Sequence, residues 1–175
     1  MPVEAFVEPE TAVSARLRLF SLYVDFAASA HARQTASAIA RLAGPHWQTS
    51  TEMWKLDSVT ASDAIRKMIN DDAAEADALI VAVGSMNHRE PKLVEWLDSL
   101  TAWRTGCLVP GLLVGLLGDE ESRSPELEWT IQQLIYCGRQ MNRELVMHCV
   151  EGNLVDDSDW LRTSVDALLA RKRAA

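Results

Sequence analysis

The chain has 175 residues and a formal net charge of −8, with 25 acidic residues against 17 basic ones. This length suits one domain that buries a substantial core without disulfide or metal support. The acidic balance argues against nucleic acid or an anionic membrane as a main partner, because each rewards a positive protein face.

The first part of the chain predicts a lead-in, a strand, a helix and a second strand. Residues 1–15, rich in proline and glutamate, are expected to be a flexible lead-in to a single domain over 16–175. The apolar run Leu17–Phe26 predicts the first strand, and the spacing of apolar residues over Ser29–Leu42 predicts a helix. His46–Leu56 alternates in polarity and predicts the second strand.

The middle of the chain predicts a helix that leads into a buried strand. Thr60 and Asp63 resemble a capping pair at the start of that helix. Its predicted apolar stripe consists of Ile65, Met68 and Ile69. The purely apolar run Ala78–Val83 then predicts a third strand that is covered on both faces, as in the middle of a parallel sheet.

The remaining elements continue the alternation. Pro91 suits the first position of a helix, and Val109–Leu117 predicts the fourth strand. A further helix is predicted from Pro125 to an ending at Gly138, followed by a fifth strand over Leu145–Val150. The closing helix is marked by Leu161, Val165, Leu168 and Leu169. Five strands, each followed by a helix, predict an α/β fold: a doubly wound parallel sheet with helices on both faces, in three layers.

A long stretch of the second half resembles flavodoxin-like proteins, including flavodoxin-type quinone reductases and NAD(P)H-dependent FMN reductases. The stretch runs from "ADALIVAVGSMNHREPKLVEWLDSL" to "MNRELV", and its helix with Pro91, Leu93, Val94, Trp96, Leu97 and Asp98 resembles the proline-containing P-x-x-L-K-x-[FW]-L-D helix of that family. In the first half, "SAHARQTASAIARLAG" is similar to the helix that follows the family's phosphate loop. The resemblance implies strand order 2-1-3-4-5, with FMN over the carboxyl ends of strands one, three and four.

The segment Asp25–His31, where the family has its phosphate loop, departs from the family pattern. Flavodoxins use a Ser/Thr-x-Thr-Gly-x-Thr turn, whose hydroxyl and N–H groups surround the phosphate at a helix N-terminus. This segment has one hydroxyl group, no glycine and an adjacent carboxylate. The resemblance therefore leaves two functions open: an FMN-binding oxidoreductase or electron carrier, and a domain that has lost FMN and binds a partner or another small ligand.

Three polar loops should meet at the carboxyl ends of the strands, where open α/β sheets bind their ligands. They are Asp25–His31, Gly84–Arg89 and Gly118–Arg123. The residues that the resemblance suggests for cofactor binding are Ser29, His31, Arg33, Ser85, Asn87, His88 and Asp119. No metal ligands or catalytic residues are assigned.

Each of these candidates has a simpler structural interpretation. Asp25 could orient a ligand, coordinate a cation or act as a base, but the favoured interpretation is a cap on its own loop or helix. Ser29 is expected to be the N-cap. His31 is either a phosphate or flavin neighbour or a solvated side chain, and the loop containing Asn87 contacts a flavin, a second subunit or only solvent. The acidic run 119–121 is interpreted as solvated rather than metal-binding.

Six tryptophans are many for this length and suggest a homodimer. Trp96 and Trp103 are seven residues apart on one predicted helix, and Trp129 opens the next, so an aromatic subunit interface is predicted. The three cysteines are odd in number and widely spaced, which indicates reduced core residues. The first residues lack a signal-peptide pattern, so a cytoplasmic location is expected. Walker, Gly-x-Ser-x-Gly and Gly-x-Gly-x-x-Gly motifs do not occur.

Overall fold

The computed structural model describes residues 15–84, 91–103, 110–118, 125–150 and 158–174. These residues form five strands and six helices. In chain order they are β1 (Ala15–Tyr23), α1 (Phe26–Ala43), β2 (Trp47–Lys55), α2 (Leu56–Val59), α3 (Asp63–Glu75), β3 (Ala78–Gly84), α4 (Pro91–Trp103), β4 (Gly111–Leu117), α5 (Pro125–Gln140), β5 (Arg143–Cys149) and α6 (Asp159–Ala174).

The five strands form one parallel sheet in the order β2-β1-β3-β4-β5. The central strands begin in register, because Leu19 of β1 lies opposite Ala78 of β3 and Ala78 lies opposite Leu112 of β4. Gly111 of β4 lies opposite Arg143 of β5. The predicted doubly wound sheet, with strand order 2-1-3-4-5, is confirmed.

The central strand β3 explains why the sheet has two apolar faces. Alternate side chains of a strand point to opposite faces, so a strand covered on both sides must be apolar throughout. Ile80 packs in a core with residues of α1 and α6, whereas Leu79 and Val81 pack in a second core with residues of α2, α3, α4 and α5. Helices therefore cover both faces, as the sequence predicts.

Several local predictions about α3 and α5 are wrong. Ser62, not Thr60, caps α3: its Oγ accepts from the Ile65 N–H at 3.2 Å, whereas the Thr60 hydroxyl donates to the Asp57 carbonyl. Met68, which the sequence predicts to lie on the apolar stripe of α3, is 45% exposed. Gly138 lies inside α5, which continues to Gln140, so it does not end that helix.

The ends of the sheet also differ from the prediction. Ala15, assigned to the lead-in, is the first residue of β1. The fifth strand begins at Arg143 rather than Leu145, so a charged residue stands where an apolar start was expected. Val150 lies just beyond the strand, and its N–H donates to the Leu117 carbonyl at 2.8 Å.

The tryptophans of α4 do not share one exposed face. Trp96 is buried and its ring stacks on Phe20 at a centroid distance of 6.3 Å. Trp103, at the end of α4, is 43% exposed and donates from Nε1 to Asp71. Trp129 is half-buried. Core packing therefore explains Trp96, and any aromatic interface depends on the other two.

The two described cysteines are free thiols in or beside the core. Burial raises the pKa of the Cys137 thiol to about 12, so this side chain stays protonated at neutral pH. Cys149 is half-buried, and Cys107 lies outside the described residues. Among the described helices, none combines the length and apolarity needed to cross a bilayer.

Candidate functional site at the carboxyl edge of the sheet

The strands β1, β3 and β4 end side by side at the carboxyl edge of the sheet. Only the first of the three predicted loops lies wholly within the described residues. Gly84 and Gly118 begin the other two, and the predicted ligand contacts that follow them lie outside the described residues. These are Ser85, Asn87, His88 and Asp119, which stay predictions. The described part of the site is therefore the junction between β1 and α1.

Asp25 is the N-cap of α1. Its backbone is extended, with φ −137° and ψ −178°, and its Oδ1 accepts from the Ala28 N–H at 2.8 Å. Its carbonyl accepts the first helical hydrogen bond, from the Ser29 N–H at 3.0 Å. A carboxylate at this position satisfies an N–H group that the helix leaves open and also interacts favourably with the helix dipole. The interpretation of Asp25 as a cap is confirmed.

Asp25 also lies against the end of β3. Gly84 has a φ of +67°, and a Cβ built on it would lie 2.9 Å from Oδ2 of Asp25. The preceding residue, Val24, donates its N–H to the Ala82 carbonyl at 3.1 Å. Only Val24 and Asp25 connect β1 to α1, and both are held against β3. This connection is much shorter than the predicted loop, and most of the segment 25–31 is helical.

Ser29 does not cap the helix, contrary to prediction. It lies in the first turns of α1, it is buried, and its Oγ donates to the Phe26 carbonyl at 2.6 Å. The physical reason is that α1 begins three residues earlier than predicted, so the serine falls inside the helix. The hydroxyl donates to the helix backbone, and a contact of Ser29 with a ligand stays a prediction.

His31 and Arg33 lie further along α1. His31 is half-buried and Arg33 is exposed. Arg33 is eight residues beyond Asp25, which places its backbone about 12 Å along the helix axis from the cap. The structure therefore distributes Ser29, His31 and Arg33 around two turns of helix and does not gather them at its N-terminus.

Phe26 is the feature of this edge that the sequence prediction missed. It is the first residue of α1 and is 89% exposed. Ala27 and Ala30 are exposed beside it, so the accessible surface of the first turn is apolar. The sequence placed Phe26 in β1 because it extends an apolar run. Asp25 is a preferred N-cap residue and is followed by several alanines, and this pattern indicates a helix that begins at Phe26.

Comparison with known proteins identifies the architecture. No protein-family model and no curated protein matches the chain. Among solved structures, it is similar to an oxidoreductase from Corynebacterium diphtheriae, with a TM-score of 0.61 and 13% identity over 92% of this chain and 97% of the other. A short-chain flavodoxin associated with a non-canonical PDU bacterial microcompartment gives a TM-score of 0.58 and 14% identity over 89% and 99%. The chain has the flavodoxin-like fold.

A third flavodoxin-like structure extends the comparison. The flavodoxin of Streptococcus pneumoniae has a TM-score of 0.50 and 14% identity over 90% of this chain and 98% of its own. The alignments therefore cover nearly the whole length of these three proteins. At this level of identity, the likeness concerns the fold alone.

The described residues do not fit an FMN phosphate at the N-terminus of α1, where the flavodoxin-like fold would place it. The Ala28 N–H is already bonded to the Asp25 carboxylate, and the exposed side chains of the first turn are apolar. At 4–6 Å and an effective dielectric constant near 20, the repulsion between Asp25 and a phosphate is on the order of 3–4 kcal/mol per unit charge. The carboxylate therefore already accepts from one of the N–H groups that could bind an anion at this helix N-terminus.

Proposed function

We propose that this chain is a non-enzymatic flavodoxin-like module that binds a small ligand at the carboxyl edge of its sheet without holding an FMN phosphate. The observation that supports the proposal is the position of the Asp25 carboxylate. It accepts from the first turn of α1 and packs against Gly84, so the chain itself uses an N–H group of the helix N-terminus that could bind an anion.

The surface beside Asp25 suggests the chemistry of that ligand. Phe26 is almost fully exposed at the edge where the strands β1 and β3 end, and Ala27 and Ala30 extend this apolar surface. An exposed aromatic ring offers a flat surface for stacking, with a gain of about 0.5–1.5 kcal/mol beyond simple burial. We therefore expect a ligand that presents a flat, uncharged ring to this turn, with any anionic group directed elsewhere.

A comparison of riboflavin with FMN tests the proposal, because the two share a ring system and differ in the phosphate. The freshly purified protein is first examined for visible flavin absorption. Flavin fluorescence is then titrated with the protein. We expect no co-purified flavin, and FMN affinity no greater than that of riboflavin. Binding of FMN much tighter than riboflavin would overturn the proposal. Phe26→Ser should weaken any riboflavin binding, while Tyr136→Ser, which changes another exposed aromatic residue on α5, should not.

The second candidate function is an FMN-binding oxidoreductase or electron carrier. The likeness to flavodoxins over about nine-tenths of this chain favours it. Arg33 on α1 provides a cationic group on the same helix that could partly offset Asp25. If the phosphate lies at the N-terminus of α1, Asp25→Asn should tighten FMN binding about tenfold or more, because it removes the like charge and keeps a capping oxygen.

A matched variant makes this second test specific. Asp166→Asn makes the same charge change on an exposed residue in the middle of α6. It should leave FMN binding unchanged. If neither the native protein nor Asp25→Asn quenches FMN fluorescence at micromolar concentrations, the flavin function fails. If Asp25→Asn instead weakens a measurable affinity, the carboxylate orders the turn and its repulsion is not the dominant effect.

Homodimer formation remains a proposal, now supported by Trp103 and Trp129 and not by Trp96. Trp103 is the most exposed of the described tryptophans of α4. Sedimentation at tens of micromolar should give a dimer, and Trp103→Ser should shift the equilibrium towards monomer. A monomer at that concentration would contradict the proposal.

A further inference from the structure

A cavity of about 450 Å³ opens at the amino edge of the sheet, on the side opposite the carboxyl-edge site. It lies where β4 and β5 begin, beside the last turn of α5. Pockets of roughly 300–1,000 Å³ are typical of small-molecule sites. The cavity is formed from parts of the chain that are far apart in sequence, since Gly111, Arg139 and Arg171 all line it.

The charge of this cavity is opposite to that of the protein. Three arginines and one glutamate are among its lining residues, while the chain as a whole carries a formal charge of −8. Clustered cations on an acidic protein create a local positive potential that concentrates small anions. The four charged residues are Arg139, Arg143, Glu144 and Arg171.

Arg143 forms the rigid floor of the cavity. Its Nη2 donates to the carbonyls at the end of α3, at 2.8 Å for Ala76, 3.2 Å for Ala74 and 3.3 Å for Ala73. Its Nη1 donates to the Leu112 carbonyl at 3.4 Å. These bonds to backbone carbonyls fix the position of the guanidinium. Its orientation therefore does not depend on a ligand.

Glu144 is already engaged by its neighbours. Both terminal nitrogens of Arg171 lie 3.3 Å from its Oε2, and the Ser164 hydroxyl donates to its Oε1 at 2.6 Å. The Nε of Arg171 is buried and has no hydrogen-bond acceptor in the described part of the chain. The carboxylate of the cavity is thus held by Arg171 and Ser164, and the remaining donor of Arg171 is buried.

Arg139 completes the charge of the cavity from its rim. It lies in the last turn of α5, it is exposed, and none of the described residues supplies an acceptor for its side chain. A cation there interacts favourably with the helix C-terminus, but that interaction leaves the five guanidinium N–H donors available. Guanidinium groups bind phosphate and carboxylate oxygens in bidentate geometry.

We propose that this cavity binds a small, multiply charged oxyanion, with Arg139 as its adjustable contact at the rim. Phosphate and carboxylate groups share the chemistry that the cavity recognises. The inference is independent of the proposed ligand at the carboxyl edge, because the two sites lie at opposite ends of the strands and share no lining residue.

Calorimetric titration of the full chain with pyrophosphate and with citrate, at constant ionic strength, tests the proposal. Saturable binding of at least one is expected, and the stronger of the two identifies the preferred group. Arg139→Gln should weaken it about tenfold or more, because a charge-assisted bidentate contact is lost. Arg162→Gln, which removes an exposed arginine from the start of α6, should change the affinity less than twofold.

Amide chemical shifts locate the bound anion. We expect pyrophosphate or citrate to perturb the amides of Gly111, Asn142 and Glu144 around the cavity. The proposal is overturned if neither anion binds saturably at millimolar concentration. It is also overturned if the two arginine variants lose affinity equally, or if the perturbed amides are those of the α1 N-terminus.

Discussion

The carboxylate of Asp25 lies against Gly84 so closely that a Cβ on Gly84 would stand 2.9 Å from Oδ2. This single relationship joins the N-cap of α1 to the end of β3. It requires glycine for two reasons: the backbone of Gly84 has a φ of +67°, and the carboxylate fills the space a side chain would need. The capping residue and the glycine therefore form one structural unit at the candidate site.

Gly84→Ala should destabilise the protein by about 2–3 kcal/mol. About 1–2 kcal/mol comes from the left-handed backbone conformation, and about 1 kcal/mol comes from displacing the cap. The free energy of unfolding in urea measures the loss. In an Asp25→Ala background, the same substitution should cost less, because the contact with the carboxylate is already gone. Identical costs in the two backgrounds would show that the clash with Asp25 contributes nothing.

Asp25→Ala should cost about 1 kcal/mol of stability, whereas Asp25→Asn should cost only a few tenths, because asparagine retains a capping oxygen. Urea unfolding of both variants checks the difference. Asp166→Ala provides the control, since it removes an exposed carboxylate from the interior of α6, where alanine is a good helix former. A large loss of stability in Asp25→Asn would mean that the charge of Asp25 contributes more to the free energy of unfolding than its hydrogen bond to Ala28.

The arrangement of the sheet could be predicted from sequence because it depends on patterns repeated over many residues. Each strand is an apolar or alternating run, and the buried run Ala78–Val83 by itself indicates the middle of a parallel sheet. The crossover rule then leaves few topologies. Errors of two or three residues at the ends of elements do not change this outcome.

The details of the sites could not be predicted because they depend on single contacts. The apolar sequence around Val24 and Phe26 suits a strand, and the bonds from the Ala28 and Ser29 N–H groups to Asp25 show that the helix has begun. The sequence does not predict a role for Arg143, because its hydrogen-bond partners are backbone carbonyls about 30 to 70 residues away. Backbone acceptors leave no residue-type signal in a sequence.

Gly111→Ala should destabilise the protein by about 1–3 kcal/mol through overpacking. The new Cβ would lie 2.7 Å from Nη1 of Arg143 and 2.9 Å from the Asp77 carbonyl oxygen, so the guanidinium that holds the end of α3 must shift. Gly138→Ala, within α5, is the matched control: its Cβ would lie 3.4–3.5 Å from atoms of Arg143, Leu113 and Leu145, which is ordinary contact, and we expect a gain of about 0.5–1 kcal/mol. Urea unfolding measures the stability of both variants. Equal changes in the free energy of unfolding for Gly111→Ala and Gly138→Ala would contradict the overpacking at Gly111.

The pH dependence of stability should reveal a carboxyl pair formed by Glu52 and Asp72. Burial raises the pKa of Glu52, and the charge of Asp72 and a hydrogen bond to it raise the pKa further, while Arg18 lowers it. The folded protein therefore holds the Glu52 proton more tightly than the unfolded chain does. By linkage, this contribution to stability is fully present below the ordinary glutamate pKa of 4.5 and is lost as pH rises through the raised value.

Glu52→Gln removes this titration and keeps a side chain of similar shape that can donate a hydrogen bond to Asp72. We therefore expect the variant to gain stability relative to the native protein as pH rises from about 4 to 7, with the change centred above the unfolded glutamate pKa. Urea unfolding of both proteins across that range measures the difference. Asp72→Asn should reduce the pH dependence, because it removes the second cause of the shift and leaves burial. A stability difference between Glu52→Gln and the native protein that stays constant over this pH range would contradict the raised pKa.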